Sequence, residues 1–480
     1  MLIWEWLLLL PWAWIIYVVD WVLRLVMLIV VPQRRNPAAA KGWLLLIFFF
    51  PWMGLFLFVI FGKASLPLRR SKQREKILKE WMARSDRFVA HPHIFYPEVR
   101  PEQQAAVKLS SNLGRMPILG SNAIELLSDY QGSIDRLVAD IDAAKDHVHL
   151  LYYIFENDAT GNRVGEALMR AVKRGVRCRL LVDALGSRRG LRQLFPRLQA
   201  AGVKAFAMLP VGLFKRLARF DVRNHRKIAV IDGSIGYTGS QNIVNALFAE
   251  GLTYEEMVVR VTGPVVWELQ AVFSDDWFLT TKQALNFPEL FPLEQVTGTV
   301  AAQVLPSGPA YKTENNQRLF IALIYSARER VVITTPYFIP DDAFLQALQT
   351  AVLRGVEVHL IVSTKIDQWL VGMAQRSYYE ELLDAGVKIH SYRKRFLHAK
   401  HLTIDNDITV IGSSNMDIRS FALNCEVSLI LYSEAVTSRL RAEQDRYLSN
   451  CETITLGRWH KRALLLRVGE NIARLFSPLL

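Results

Sequence analysis

The sequence predicts an α/β protein of two similar lobes, each a mixed β-sheet flanked by helices, preceded by an N-terminal hydrophobic helical hairpin. Three observations carry that prediction. Strand-like and helix-like segments recur in the same order about 180 residues apart. A His-x-Lys-x-x-x-x-Asp pattern occurs once in each copy, and two long apolar runs come before residue 63. With 480 residues and 51% hydrophobic content, the chain has material for two medium cores.

The apolar runs come first. Leu7 to Val31 carries Asp20 and Arg24, four residues apart and able to pair on one helical face, so this run is the weaker span and fits partial seating in an interface. Gly42 to Gly62, "GWLLLIFFFPWMGLFLFVIFG", has no charge over 21 residues, which at about 1.5 Å per residue matches the hydrocarbon thickness of a bilayer. It reads as a membrane span. A cleaved signal peptide fits poorly, because no basic stretch precedes the first run and a second run follows at once. "NPAAAKG" is the hairpin connection. Arg34, Arg35 and Lys41 lie between the runs, whereas Lys63, Arg69, Arg70, Lys72, Arg74, Lys76 and Lys79 follow the second, so the larger cluster is expected on the cytoplasmic side. The connection is also basic, which leaves open a re-entrant or monotopic hairpin with everything on that side. Residues 1–62 are thus the membrane hairpin and 63–110 a basic linker.

Beyond them the chain repeats itself. "MRAVKRGVRCRLLVDALGS" from Met169 is echoed by "LQTAVLRGVEVHLIVSTKI" from Leu348, and "LQAAGVKAFAM" from Leu198 by "LLDAGVKIHSY" from Leu382. An apolar strand precedes each set, "HVHLLYYIF" from His147 and "RVVITTPYF" from Arg330. The first lobe is therefore placed at 111–290 and the second at 291–480. A formal charge of +13 draws the chain to something anionic: nucleic acid, an acidic membrane surface or a phosphate substrate. Cys178, Cys425 and Cys451 are odd in number and widely spaced, which offers neither a disulfide framework nor a metal-ligand pattern.

Each lobe then delivers the same chemistry. His225, Lys227 and Asp232 lead into Gly239, Ser240 and Asn242; His398, Lys400 and Asp405 lead into Gly412, Ser413 and Asn415 at the same spacings. In a strand, residues two apart face the same way, so each histidine projects with its lysine. Asp232-Gly233 and Asp405-Asn406 are hairpin signals that return the Gly-Ser-x-Asn segment beside the His-Lys strand. Two lobes face to face would surround a phosphate with two lysines, two asparagines, hydroxyls and a histidine on each side. The aspartates, though part of the motif, suit a role in holding the turn better than one in acid-base work.

These residues resemble the phospholipase D superfamily with its two HKD motifs, and within it the bacterial cardiolipin synthases. "RNPAAAKGWLLL", "YYIFENDATG", "LPSGPA", "TTPYFIPDD", "NMDIRSFALNCEVSL" and the closing "SPLL" extend the likeness over nearly the whole chain. The resemblance implies a ping-pong phosphatidyl transfer without metal or cofactor, through a phosphohistidine. His225 would be the nucleophile and His398 the acid, later the base. Donor and acceptor would both be phosphatidylglycerol, with glycerol released, at the bacterial cytoplasmic membrane and with no nucleic acid partner. The near-symmetry of the motifs leaves the order of the histidines open. Family members also carry an acid behind each histidine; Glu256, 31 residues after His225, and Glu426, 28 after His398, are the candidates, with Glu255 an alternative to Glu256.

Two basic, aromatic segments precede the motifs. Phe214, Lys215, Arg216, Arg219, Phe220 and Arg223 form one, and Tyr392, Arg393, Lys394, Arg395 and Phe396 the other; both suit lips resting on anionic headgroups. The C-terminal "GRWHKRALLLRVGENIARLFSPLL" is basic and amphipathic, fit to pack on a lobe or on a membrane. Another membrane-bound phosphatidyltransferase or hydrolase of the same fold, with phosphatidylethanolamine or phosphatidylserine headgroup chemistry, would share the site, and a nuclease would have no need of the apolar hairpin.

Overall fold

A computed structural model describes residues 2–34, 37–62, 93–210, 221–248, 251–285, 290–292, 296–311 and 313–477, with most side chains before residue 14 left out. The linker stretch 63–92 lies outside these residues.

The N-terminal helices group apart from the remainder. A helix of 29 residues runs Leu2–Val30, and its Asp20 and Arg24 pair at 4.0 Å, one turn apart. The second apolar run corrects the expectation of a single span. It forms two helices, Pro37–Phe49 and Pro51–Phe61, because Pro51 has no N–H to continue the ladder and holds Phe50 out of helical geometry at φ −133° and ψ 74°. Gly54 then lies against Ile47, where a Cβ would come within 2.7 Å of the Ile47 Cα. At 1.5 Å per residue the two pieces are about 20 and 16 Å long, short of the roughly 30 Å hydrocarbon core. Among the described residues no helix is long and apolar enough to cross a membrane. Met27, Val31, Ala40, Ile47 and Phe58 form a small core of their own.

The rest of the chain is built twice on one plan. In the first lobe the strands are β1 (Leu119–Leu127), β2 (His147–Tyr152), β3 (Arg177–Asp183), β4 (Lys204–Met208), β5 (Ile228–Ile231), β6 (Ile235–Gly239), the short β7 (Tyr254–Glu255) and β8 (Val258–Thr262). In the second they are β9 (Val300–Ser307), β10 (Arg330–Thr335), β11 (Phe338–Ile339), β12 (Glu357–Ser363), β13 (Lys388–Tyr392), β14 (Phe396–Leu397), β15 (His401–Ile404), β16 (Ile408–Gly412), β17 (Met416–Asp417), β18 (Glu426–Tyr432) and β19 (Cys451–Ile454). The sheet orders are β1-β8-β6-β5-β2-β3-β4 and β9-β18-β16-β15-β10-β12-β13, the latter extended by β19. Parallel pairs join β2 to β3 to β4 and β10 to β12 to β13; the remaining neighbours are antiparallel, which makes each sheet mixed. Antiparallel pairing of β1 with β9 fuses the two into one 15-stranded sheet.

Local chemistry explains the repeat. The helices Ala159–Lys173 and Asp342–Leu353 start at Asp158 and Asp341, whose carboxylates accept the N–H of Gly161 and Phe344, and each is followed by a glycine in left-handed conformation, Gly175 and Gly355. Val176 and Val356 then enter the core and start the next strand. The central strand β2 is buried along its whole length and β10 nearly so, as parallel strands covered on both faces must be. One core runs through both lobes: Ile124, Val259 and Phe273 belong to the same apolar cluster as Val304, Val332 and Val427.

Candidate active site

Both histidines lie just before the antiparallel hairpins β5–β6 and β15–β16, in short segments that pair across the lobe boundary. The His225 N–H donates to the Cys425 carbonyl at 2.9 Å, and the His398 N–H to the Glu255 carbonyl at 2.8 Å. Each histidine is therefore laced to the segment where the other lobe's Glu426 or Glu256 begins.

That lacing corrects the expected pairing of acids. His225 Nδ1 lies 3.0 Å from the Ser413 carbonyl oxygen and 3.2 Å from Glu426 Oε2, while His398 Nδ1 lies 2.7 Å from Glu256 Oε1. Each carboxylate serves the histidine of the opposite lobe. The spacing along the chain could not reveal this, because it compares residues within a copy. Glu255 is occupied elsewhere, in ion pairs with Arg446 and Arg395. Both partners of His225 Nδ1 are acceptors, so Nδ1 carries the proton and the Nε2 lone pair is free; the carboxylate does the same for His398.

Lys227 and Lys400 donate to the carbonyl oxygens of their own histidines, each at 2.7 Å, and both are buried. Burial lowers Lys227 to about 7 and Lys400 to about 8, with Glu426 and Glu256 acting against it. His225 and His398 are lowered too, chiefly by burial and then by the lysines, His398 to about 4. Burial pushes Glu256 and Glu426 up, but the histidines and lysines outweigh it and hold both carboxyls below their ordinary range. Lys227 feels Lys400, and each histidine feels the lysine of the other lobe, so the four cationic groups share one place. Tyr153 stacks at a tilt on His225, ring centres 5.0 Å apart, and Tyr254 meets His398 edge-on at 5.3 Å.

The remaining motif residues divide. Ser240 accepts the Met257 N–H at 2.9 Å and donates to the Met257 carbonyl at 3.2 Å, and Ser413 accepts the Val427 N–H at 3.1 Å while donating to Glu426. Both hydroxyls thus fix the strands that carry the glutamates, which corrects the expectation that they line a phosphate. Asn242 Oδ1 accepts the Ile154 N–H at 3.1 Å, which turns its amide N–H₂ the other way. Asn415 is buried close by its own helix, its N–H donating to Ser420 Oγ at 3.2 Å.

Asp232 and Asp405 lie at the far ends of β5 and β15 from the histidines. Asp232 accepts three successive N–H groups, those of Lys145, Asp146 and His147, at 2.8–2.9 Å. Asp405 does the same for Arg328, Glu329 and Arg330 and also pairs with Arg100. Both adopt a positive φ, 51° and 45°, which aspartate tolerates in a turn. They clamp the hairpin to the start of the central strand. Asp405→Ala is expected to destabilise the fold by about 3 kcal/mol, since it strands the N–H groups and a guanidinium. Thermal unfolding in detergent checks this; an unchanged midpoint would contradict the clamp.

Sequence reasoning missed two supports. Asp183, at the end of β3, accepts the Asn224 N–H at 2.9 Å and pairs with Arg223 at 3.2 Å, fixing the approach to His225. An acid closing a buried apolar strand was the available sign. Arg226 forms a buried ion pair with Asp276 and donates to the Glu426 carbonyl at 2.9 Å. In the second lobe Ser363 and Ala399 occupy the corresponding places, so the two halves are not chemically equal. The proposed lips are partly committed: Arg223 is buried, Arg393 pairs with Glu452 and Arg395 with Glu255, and Tyr392 and Phe396 are core residues. Phe214, Lys215, Arg216, Arg219 and Phe220 lie outside the described residues.

Comparison with known proteins shows the family. A family model described as "Cardiolipin synthase, PLD-like domain" matches residues 137–277 and 320–448. The chain is 34% identical over 479 residues to cardiolipin synthase A of Proteus mirabilis, covering 98% of each, and 33% identical over 458 residues to that of Yersinia pseudotuberculosis, covering 93% of this chain and 94% of that one. Among solved structures, phosphatidylserine synthase from Haemophilus influenzae aligns with a TM-score of 0.62 at 15% identity, over 78% of this chain and 100% of the other, a likeness of fold.

Proposed function

The chain belongs to the cardiolipin synthase family with the phospholipase D-like domain, and on that premise we propose that it moves a phosphatidyl group from one phosphatidylglycerol to another with release of glycerol. It is a phosphatidyltransferase. The observation that carries the mechanism is the pair of lobe-crossed His–Glu contacts around two buried lysines.

His225 is the nucleophile. Its Nδ1 proton is held by two acceptors, which presents Nε2 as an unprotonated lone pair to the phosphorus. The P–N bond forms as the P–O bond to glycerol breaks, and His398 gives its proton to the departing oxygen. The 2.7 Å contact to Glu256 favours the imidazolium that this step needs, and the arriving phosphodiester anion raises the pKa of every cation around it. His398, now neutral, takes the proton from the primary hydroxyl of a second phosphatidylglycerol, whose oxygen displaces His225. Atoms and charge return to the start. Lys227, Lys400 and the amide groups of Asn242 and Asn415 offset the charge that builds on the phosphoryl oxygens.

The lysines set a pH dependence. A lowered ammonium pKa means the charge is complete below it and lost as pH rises, so kcat/KM is expected to fall through pH 7 to 8, where Lys227 and Lys400 titrate before substrate binds. A profile in mixed micelles that stays flat until pH 10 would contradict this.

As a bacterial cardiolipin synthase the chain is a membrane-associated enzyme. We place it at the cytoplasmic membrane with the lobes on the cytoplasmic side, anchored by the bent apolar pair Pro37–Phe61 as a re-entrant element, since Pro51 splits the run into pieces too short to span. Purified protein in detergent with labelled phosphatidylglycerol tests the activity: cardiolipin and free glycerol are expected, and phosphatidic acid as the sole product would make it a hydrolase.

A further inference from the structure

The helix Leu464–Arg474 has two non-polar sides. One packs on the helix Trp369–Ser377: Ala473 is buried, Gly469 lies against Met373, and Glu470, itself buried, pairs with Arg376 and Arg462. At 100° per residue, Leu464, Leu465, Val468, Ile472, Leu475 and Phe476 fall on the opposite side, and all six are exposed, Leu465 by 86% and Leu475 by 77%. A stripe of that size facing outward is far more apolar than a solvated helix face needs to be.

We infer that this stripe is a membrane-seating face, distinct from the N-terminal apolar segment, which lays the second lobe on an anionic bilayer with its site entrance toward the lipid. The inference rests on the lipid substrate proposed above. Three observations select a bilayer over a protein partner. From Leu456 to Ser477 there are five arginines and lysines against one acid. Of these, Arg467 and Arg474 flank the stripe, each part-exposed over a carboxylate of the neighbouring helix Tyr379–Asp384, Glu380 and Glu381 respectively, and able to share it with a phosphate. Trp369, 73% exposed, begins the helix that the stripe's other side packs against, and tryptophan favours the level of the headgroups. Finally, Asp367, two residues before Trp369, is close enough to Lys400 to support its charge and bonds the hydroxyl of Tyr337, so this helix pair starts at the catalytic end of the sheet. A lipid leaving the bilayer there meets the lysines without crossing open water.

The test uses the full chain reconstituted in phosphatidylglycerol–phosphatidylethanolamine vesicles, with a spin label at Val468→Cys or, as a control exposed at the end of the sheet far from the histidines, at Lys145→Cys, and the background of the native cysteines subtracted. The Val468 label is expected to collide more with oxygen and less with a water-soluble nickel chelate than the Lys145 label. Equal aqueous exposure of both, or shielding of Val468 from both reagents as a protein partner would give, overturns the inference. A second variant, Leu465→Ser/Val468→Ser/Ile472→Ser/Leu475→Ser, is expected to raise the apparent KM on vesicles about tenfold while leaving turnover of monodisperse dihexanoyl phosphatidylglycerol unchanged. Unchanged vesicle kinetics likewise overturns it. Wild type inert toward phosphatidylglycerol in every form would sink the synthase reading alone, and the label data would still decide the helix.

Discussion

His398→Ala is expected to stop cardiolipin formation by about ten-thousand-fold yet still yield one equivalent of product per chain from an activated donor. With phosphatidyl p-nitrophenol, nitrophenolate leaves without a proton, so His225 needs no acid to capture the phosphatidyl group. The base for the second step is then missing, and the enzyme is held as a phosphatidyl-histidine, seen as a burst of nitrophenolate and as added mass on the peptide carrying His225. His225→Ala is expected to show neither. A burst from His225→Ala instead would exchange the two roles.

The second large effect concerns the crossing of the acids. Glu426→Gln is expected to slow the burst itself by about a hundred- to a thousand-fold, because a carboxamide that turns its N–H₂ toward His225 Nδ1 moves the imidazole proton to Nε2, where it blocks attack. The Ser413 carbonyl still holds the ring, which keeps the loss below complete. Glu256→Gln touches the other histidine, so it is expected to cripple turnover of phosphatidylglycerol while sparing the nitrophenyl burst. Stopped-flow measurement of both variants separates them. If each acid served the histidine of its own lobe, the two results would be reversed.

Much of this was legible in the residues. The lobes announce themselves because a capped helix, a glycine exit and a buried strand are local patterns, and the chain writes them twice. The motif was legible for the same reason: His-x-Lys on a strand and Asp-Gly or Asp-Asn at a turn follow from short-range geometry. What stayed hidden depends on separations that no local rule encodes. His225 and Glu426 are 201 residues apart in the chain, and their contact exists because β1 pairs with β9 and brings Cys425 beside His225. The serines were misplaced because Gly239 and Gly412, one residue earlier, let the chain press against the neighbouring strand; a Cβ there would meet the carbonyl oxygens of Met257 and Val427 at 2.3 Å. The bend at Pro51 was legible from proline chemistry, and the absence of charge outweighed it.

The crossed carboxylates also bear on how such a chain can change over generations. After a gene doubles, one copy usually becomes free to decay or to take up new work. Here a lesion in either half's glutamate disarms the other half's histidine, so the damage always appears in the partner. Neither half is a spare. Selection must weigh the two together, and a severed half would regain a complete site by docking with its complement.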